Sequence, residues 1–201
     1  MKSLRLAVAG LIVCSCACAI LQPKPTVQVY YRADLETKGD KLIIMPLLSF
    51  DGKKAEGVKN VELALLEQWN GIYGKANIIP AGPALAQLPD STLAELVKSL
   101  DTASAVEQIA SDGKLKDAVR MITGKIGGYN MGVAMIDAND KDFISGKPVH
   151  LNIGIFDTRN MTWKWIAKGV TEKGRLGRWE MASAMLVREN FKAVKTYETA
   201  K

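Results

Sequence analysis

Apolar residues recur along the chain in two rhythms, and the places where one gives way to the other mark the predicted elements. Residues 42–50, LIIMPLLSF, form a nearly unbroken apolar run, the pattern of a strand covered on both faces, in which Pro46 requires an edge position or a bulge. Asp51-Gly52 then turns the chain. From Val58 the spacing lengthens: Val58, Val61, Leu65, Trp69 and Ile72 recur every three or four residues, one stripe of a helix that Gly71 and Gly74 bring to an end. A short strand at 76–80 leads into a Gly/Pro-rich loop reaching Pro89. Thr92-Leu-Ala-Glu95 and Ser104-Ala-Val-Glu107 have capping-box spacing, in which hydroxyl and carboxylate satisfy the free amides of a helix start, and they predict two short helices, the second ending near Asp112-Gly113.

Four stretches rich in Val, Ile, Met and Trp follow, at 119–126, 131–136, 149–156 and 162–170, and read as strands. In the third, period two sends Leu151, Ile153 and Ile155 to one face and His150, Asn152 and Phe156 to the other. The last two strands are joined by residues 157–161, a hairpin signal in which Asp157 suits the first turn position and Asn160 tolerates a left-handed backbone. A closing helix over 178–197 carries Ala184, Val187, Phe191 and Val194 on one stripe with Trp179 and Leu186 beside it, while Arg188, Lys192 and Lys195 lie on other faces and near its end. The predicted class is α/β (α+β): one mixed, partly antiparallel sheet of about five strands covered by helices, in the order β-α-β-α-α-β-β-β-β-α.

The first 26 residues follow neither rhythm. Lys2 and Arg5 precede an apolar stretch of 16 residues from Leu6 to Leu21, with no acidic residue before Asp34. That is the charged start and apolar middle of a secretory signal, short of the roughly 20 residues of a spanning helix. All three cysteines of the chain, Cys14, Cys16 and Cys18, fall at its end. Val13-Cys14-Ser15-Cys16 resembles a lipobox, with a branched apolar residue three places before the cysteine and a small one immediately before it, so Cys16 is the expected lipid acceptor, with Cys18 and Cys14 as alternatives. Ordinary cleavage after Ala17 or Ala19 and retention as an uncleaved anchor are the competing fates. A metal site is the weakest reading, because closed thiolate sites need further ligands and the one histidine, His150, lies far along the chain. The expected organisation is a signal peptide at 1–15, a lipidated cysteine and tether at 16–26 with two prolines in QPKPT, and a single domain at 27–201.

Composition narrows the function by subtraction. The hydrophobic share of 48% is ordinary for a globular chain, and the formal charge of +6 falls to +4 once Lys2 and Arg5 leave with the signal, too little to argue for nucleic acid without a binding motif. His150 beside Pro148 at a strand start reads as a sheet histidine, and no triad or carboxylate cluster accompanies it, so no enzyme activity is expected. Residues 137–142, DANDKD, suggest a calcium loop until the later positions are read: Lys141, Asp142 and Pro148 stand where an oxygen ligand, glycine and glutamate are needed. Residues 124–128, GKIGG, lack the spacing and the terminal Lys-Ser/Thr of a phosphate loop. No cofactor and no metal are expected.

Three segments carry a family resemblance. KLIIMPLLSFDG resembles a first strand of "apolar, proline, phenylalanine" type, DAVRMITGKI an "alanine-aspartate-alanine, apolar, glycine" strand, and FDTRNMTWKW an "aspartate, threonine, x, glycine, x, x, tryptophan" hairpin in which Asn160 replaces the glycine. Together with the signal, the chain resembles the α/β domain shared by TolB amino-terminal domains, CsgG-type curli-secretion lipoproteins and lipoprotein activators of peptidoglycan synthases, and is similar to uncharacterised lipoprotein families of diderm bacteria. The resemblance implies an envelope lipoprotein held to a membrane by its lipid, facing the periplasm from the inner leaflet of the outer membrane, with an envelope protein as partner and no nucleic acid. It leaves the oligomeric state open and supplies no active-site residues. The alternative it implies is a CsgG-type oligomeric pore subunit, with residues 129–137 and 149–156 as strands of a shared barrel.

Overall fold

The computed structural model of the chain describes residues 25–31, 41–56, 58–81, 94, 98–101, 117, 119–120, 123–124, 130–138, 147–171 and 179–199. Its strands are β1 (Thr26–Tyr31), β2 (Leu42–Ile44), β3 (Leu48–Ser49), β4 (Ile78–Pro80), β5 (Asn130–Ile136), β6 (Val149–Asp157) and β7 (Thr162–Thr171). Its long helices are α1 (Lys59–Tyr73) and α2 (Trp179–Thr199). The strands make one sheet in the order β1-β7-β6-β5-β2-β4, with β3 also on β5. The β1-β7-β6-β5 half is antiparallel, whereas β2 runs parallel to both β4 and β5, so the sheet is mixed as its sequence predicts. Seven strands replace the expected five or so for two local reasons. Residues 26–31 form an edge strand on β7 where the tether was expected to end, and Pro46, lacking an amide hydrogen, splits the long apolar run into β2 and β3.

Both faces of the sheet are covered. On one, α1 and α2 pack with Val61, Leu65, Trp69, Leu186, Val187 and Phe191 against Leu151, Ile153, Ile155 and Trp165. On the other, Leu100 and Val119 join Met131, Val133, Phe156, Met161 and Trp163 in a second core. The period-two reading of β6 holds, since Leu151, Ile153 and Ile155 lie in the first core and Phe156 in the second. The side chain of Trp179 and the residues 104–113 of the second short helix lie outside the described residues, while Ala94 and residues 98–101 of the first are helical.

Two expectations are corrected. Residues 119–126, expected as a strand, are helical at Val119, Arg120, Thr123 and Gly124, and the Thr123 hydroxyl donates to the Val119 carbonyl one turn back at 3.0 Å. In the hairpin, Met161 rather than Asn160 takes the left-handed backbone, with φ of 52°. That conformation costs a non-glycine residue roughly 1–2 kcal/mol, and burial of the Met161 side chain in the second core offsets it. Asp157 opens the turn as expected, accepting the Arg159 amide at 2.8 Å.

The strands set out for a shared barrel are already committed. β5 pairs with β2, β3 and β6, β6 lies between β5 and β7, and every residue of β5 is buried. Among the described residues neither strand has a free edge, so in this fold both belong to the sheet interior.

Within β6, Gly154 makes room for its neighbours. A Cβ built there would lie 2.8 Å from the Trp163 ring and 3.1 Å from Leu100. Gly154→Ala is therefore expected to lower folding stability by about 1–3 kcal/mol through overpacking, visible as a reduced urea midpoint with unchanged slope. An unaltered midpoint would show that the indole shifts freely.

Candidate functional site

A sizeable opening borders the break at Pro46. β2 ends at Ile44, the chain detours through Met45, Pro46 and Leu47, and β3 resumes on β5 four residues later. Beside this detour, between α1 and the carboxyl ends of the parallel strands β2 and β4, lies a cleft of about 720 Å³. Ile44, Met45, Leu47, Leu65, Trp69, Ile78 and Ala134 line it, and Lys53, Lys54 and Glu62 contribute the charged side chains. Open α/β sheets place binding crevices at this end of their strands.

Trp69 is the largest side chain in the lining of the cleft. Its indole stacks on Trp165 at 5.7 Å between ring centroids and meets Phe191 edge-on at 4.7 Å, fixing it between α1, α2 and the sheet. Gly132 gives it a seat, since a Cβ there would stand 3.2 Å from the indole. The polar groups of the nearby backbone are already used: Met45 N donates to Gly132 O at 2.9 Å, Ala81 N to Ile44 O at 3.0 Å and Ala55 N to Leu47 O at 2.8 Å. Hydrocarbon is what the walls present. Outside, α1 exposes Leu63 and Leu66, by 54% and 42%, about one turn apart, and Leu66 borders the cleft.

At the rim, Asp51 organises the turn that holds the lysines. It accepts the Ser49 hydroxyl and the Lys53 amide and pairs with the Lys53 ammonium at 3.4 Å. The Ser49 hydroxyl bond, foremost, and the Lys53 amide hold its carboxyl below the usual aspartate range. Lys54 is pinned by a bridge to Leu48 and is exposed.

A second, polar hollow of about 250 Å³ lies over β6, β7 and β1. Strand register lines up Asn152, Lys168 and Gln28 in one row and His150, Val170 and Thr26 in the next. Asp101 closes it from above, its carboxylate accepting from Asn152 at 3.3 Å and its carbonyl from the Lys168 ammonium. Burial pushes the Lys168 pKa below the ordinary lysine value, and the Asp101 charge opposes that shift. The folded state therefore holds less proton than the unfolded one just below the normal lysine pKa, and stability gains a little as pH rises through that window.

His150, expected as a sheet histidine, sits half exposed at the start of β6. Its Nδ1 is 3.0 Å from Asp137 Oδ2, its amide donates to Asp137 Oδ1 at 2.7 Å, and its carbonyl accepts the Asp137 amide at 3.2 Å. The pair clasps the ends of β5 and β6. Asp137 thus serves the histidine rather than a calcium loop, whose positions 139–142 lie outside the described residues. Gly124 of the glycine-rich segment is helical and 125–128 lie outside the described residues, as do Cys14, Cys16 and Cys18. Among the described residues no group of three or more His, Cys, Asp and Glu could hold a metal ion, and no helix is long and apolar enough to cross a membrane.

Two features escaped the sequence reading. One is the cleft, assembled from segments up to about 90 residues apart. The other is a buried ion pair, Lys164 Nζ to Asp157 Oδ2 at 3.8 Å, both side chains 2% exposed or less. Its only sequence signal is a lysine between two tryptophans in a strand.

No protein-family profile matches the chain, and no curated protein does. Among solved structures, the fold is similar to a PelC dodecamer from Paraburkholderia phytofirmans, with 12% identity, a TM-score of 0.49, and 83% of this chain and 94% of that chain covered. A point variant of the same dodecamer aligns with 13% identity and a TM-score of 0.48 over the same shares.

Proposed function

We propose that this chain is a lipid-anchored protein of the bacterial envelope that faces the periplasm and works by binding, as an accessory to envelope assembly or transport, rather than by catalysis. The observation that carries the binding role is the cleft at Pro46: a mainly apolar space of this size with charged side chains at its rim suits a bound ligand. The signal segment and Cys16 support the anchoring. Nine residues lie between Cys16 and Thr26, the first residue of β1, and the ten steps from one to the other span at most ~35 Å at full extension, so the body works close to the bilayer.

Mass spectrometry of the mature amino terminus from the native cell tests the anchoring. A diacylglycerol-bearing Cys16 is expected, in the membrane fraction. An unacylated chain released into the periplasm, or a full-length chain retained in the cytosol, would end the proposal. Partner capture by crosslinking from position 63 on α1 is expected to return an envelope protein.

A further inference from the structure

We infer that the cleft beside Pro46 binds a single acyl chain carrying an anionic head group. The inference rests on the binding role proposed above and names the class of ligand that the walls can recognise.

Volume comes first. About 720 Å³ lies within the ~300–1,000 Å³ of ordinary small-molecule sites. The walls of the cleft include Ile44, Met45, Ile78 and Ala134, and Leu66 on α1 carries them out toward solvent.

Chemistry narrows the choice further. The amides of Met45, Ala55 and Ala81 beside the cleft donate within the fold, so a polar ligand group placed against them would find those donors taken and would carry a cost of desolvation. Hydrocarbon has no such requirement and gains with every methylene covered.

The head group is set by the rim. Lys53 is already shared with Asp51. Lys54, held in place by its bridge to Leu48, has no carboxylate within ion-pair distance among the described residues, so it is the cation left over for a ligand. Glu62 on α1 lines the opposite wall and repels an anion placed on its own side, which orients the head toward Lys54. Leu66, 42% exposed, extends the apolar path out to solvent and marks where the chain would enter.

The test uses the full chain in nanodiscs of zwitterionic phospholipid, photolabelled with a diazirine derivative of dodecanoate and mapped by peptide mass spectrometry. Label is expected on the peptides holding Met45 to Leu48 and Leu65 to Trp69. Unlabelled dodecanoate should compete at least tenfold better than dodecyltrimethylammonium. Leu66→Glu is expected to cut labelling at least fivefold, and Lys54→Glu to cut it about threefold and shrink the preference for the carboxylate. Both positions are exposed, so the variants should keep the parent melting temperature. Label scattered over the surface, labelling unaltered in Leu66→Glu, or equal competition by the ammonium amphiphile would overturn the inference. Failure here with an acylated Cys16 discards the ligand and keeps the anchor; an unacylated amino terminus with the expected labelling does the reverse.

Discussion

Trp69→Ala is expected to destabilise the protein by about 3–5 kcal/mol, a large share of the ~5–15 kcal/mol that holds a typical domain together. The indole is 1% exposed and joins three elements, through the stacked Trp165 ring on β7, the edge of Phe191 on α2 and the Tyr73 ring one turn along α1 at 6.3 Å. Its loss removes the transfer free energy of a large aromatic and leaves a void that α1 cannot close, because Leu65 and Val61 already seat that helix on the sheet. Urea unfolding followed by far-UV circular dichroism reads the change as a lowered midpoint. Leu63→Ala, two turns away and exposed, should move it by no more than about 0.5 kcal/mol. A loss below 1 kcal/mol in Trp69→Ala would mean that the aromatic junction is not the centre of the first core.

The second large effect is expected at Asp157→Ala, at about 3–5 kcal/mol, the range for removing one partner of a buried ion pair. The carboxylate has two tasks. It faces the Lys164 ammonium across 3.8 Å in a place closed to solvent, and it accepts the amides of Arg159 at 2.8 Å and Asn160 at 3.4 Å that close the β6–β7 turn. Lys164→Met in the Asp157→Ala background should recover part of the loss, since the double replacement no longer holds a cation opposite a missing carboxylate. The double-mutant cycle should show a coupling above about 1 kcal/mol. The exposed pair of Arg188 and Glu67, 3.9 Å apart between α2 and α1, sets the contrast with a coupling near ~0–1 kcal/mol. Equal couplings for the two pairs would refute the weight placed on burial.

These contrasts also show what the amino-acid sequence makes legible. The stripes of α1 and α2 and the alternation of β6 are local patterns, and the buried side chains fall where those patterns put them. Residues 119–126 misled because a short apolar run fits either period: positions 119, 122, 123 and 126 also repeat every three or four, and the helical backbone at 119, 120, 123 and 124 shows which period won. Strand β1 has its alternating Val27 and Val29, yet among the described residues it pairs with β7 alone, nearly 140 residues on, and the prolines before it read as tether. The cleft was illegible for the same non-local reason, since Trp69 and Gly132 become neighbours only through the strand order. His150 and Asp137 were each singled out, but for unconnected roles, and only the β5–β6 register joins them.

The register shift between Ile155 and Phe156 has a wider consequence. Phe156 stands opposite Trp163 and Ile155 opposite Trp165, which leaves Lys164 as the supernumerary residue of a bulge. Two tryptophans only two places apart, which an uninterrupted strand would send to the same side, are delivered instead to opposite layers. One extra residue thus rivets both layers of the molecule to the same stretch of backbone, so loosening either interior at this point is expected to disturb the other.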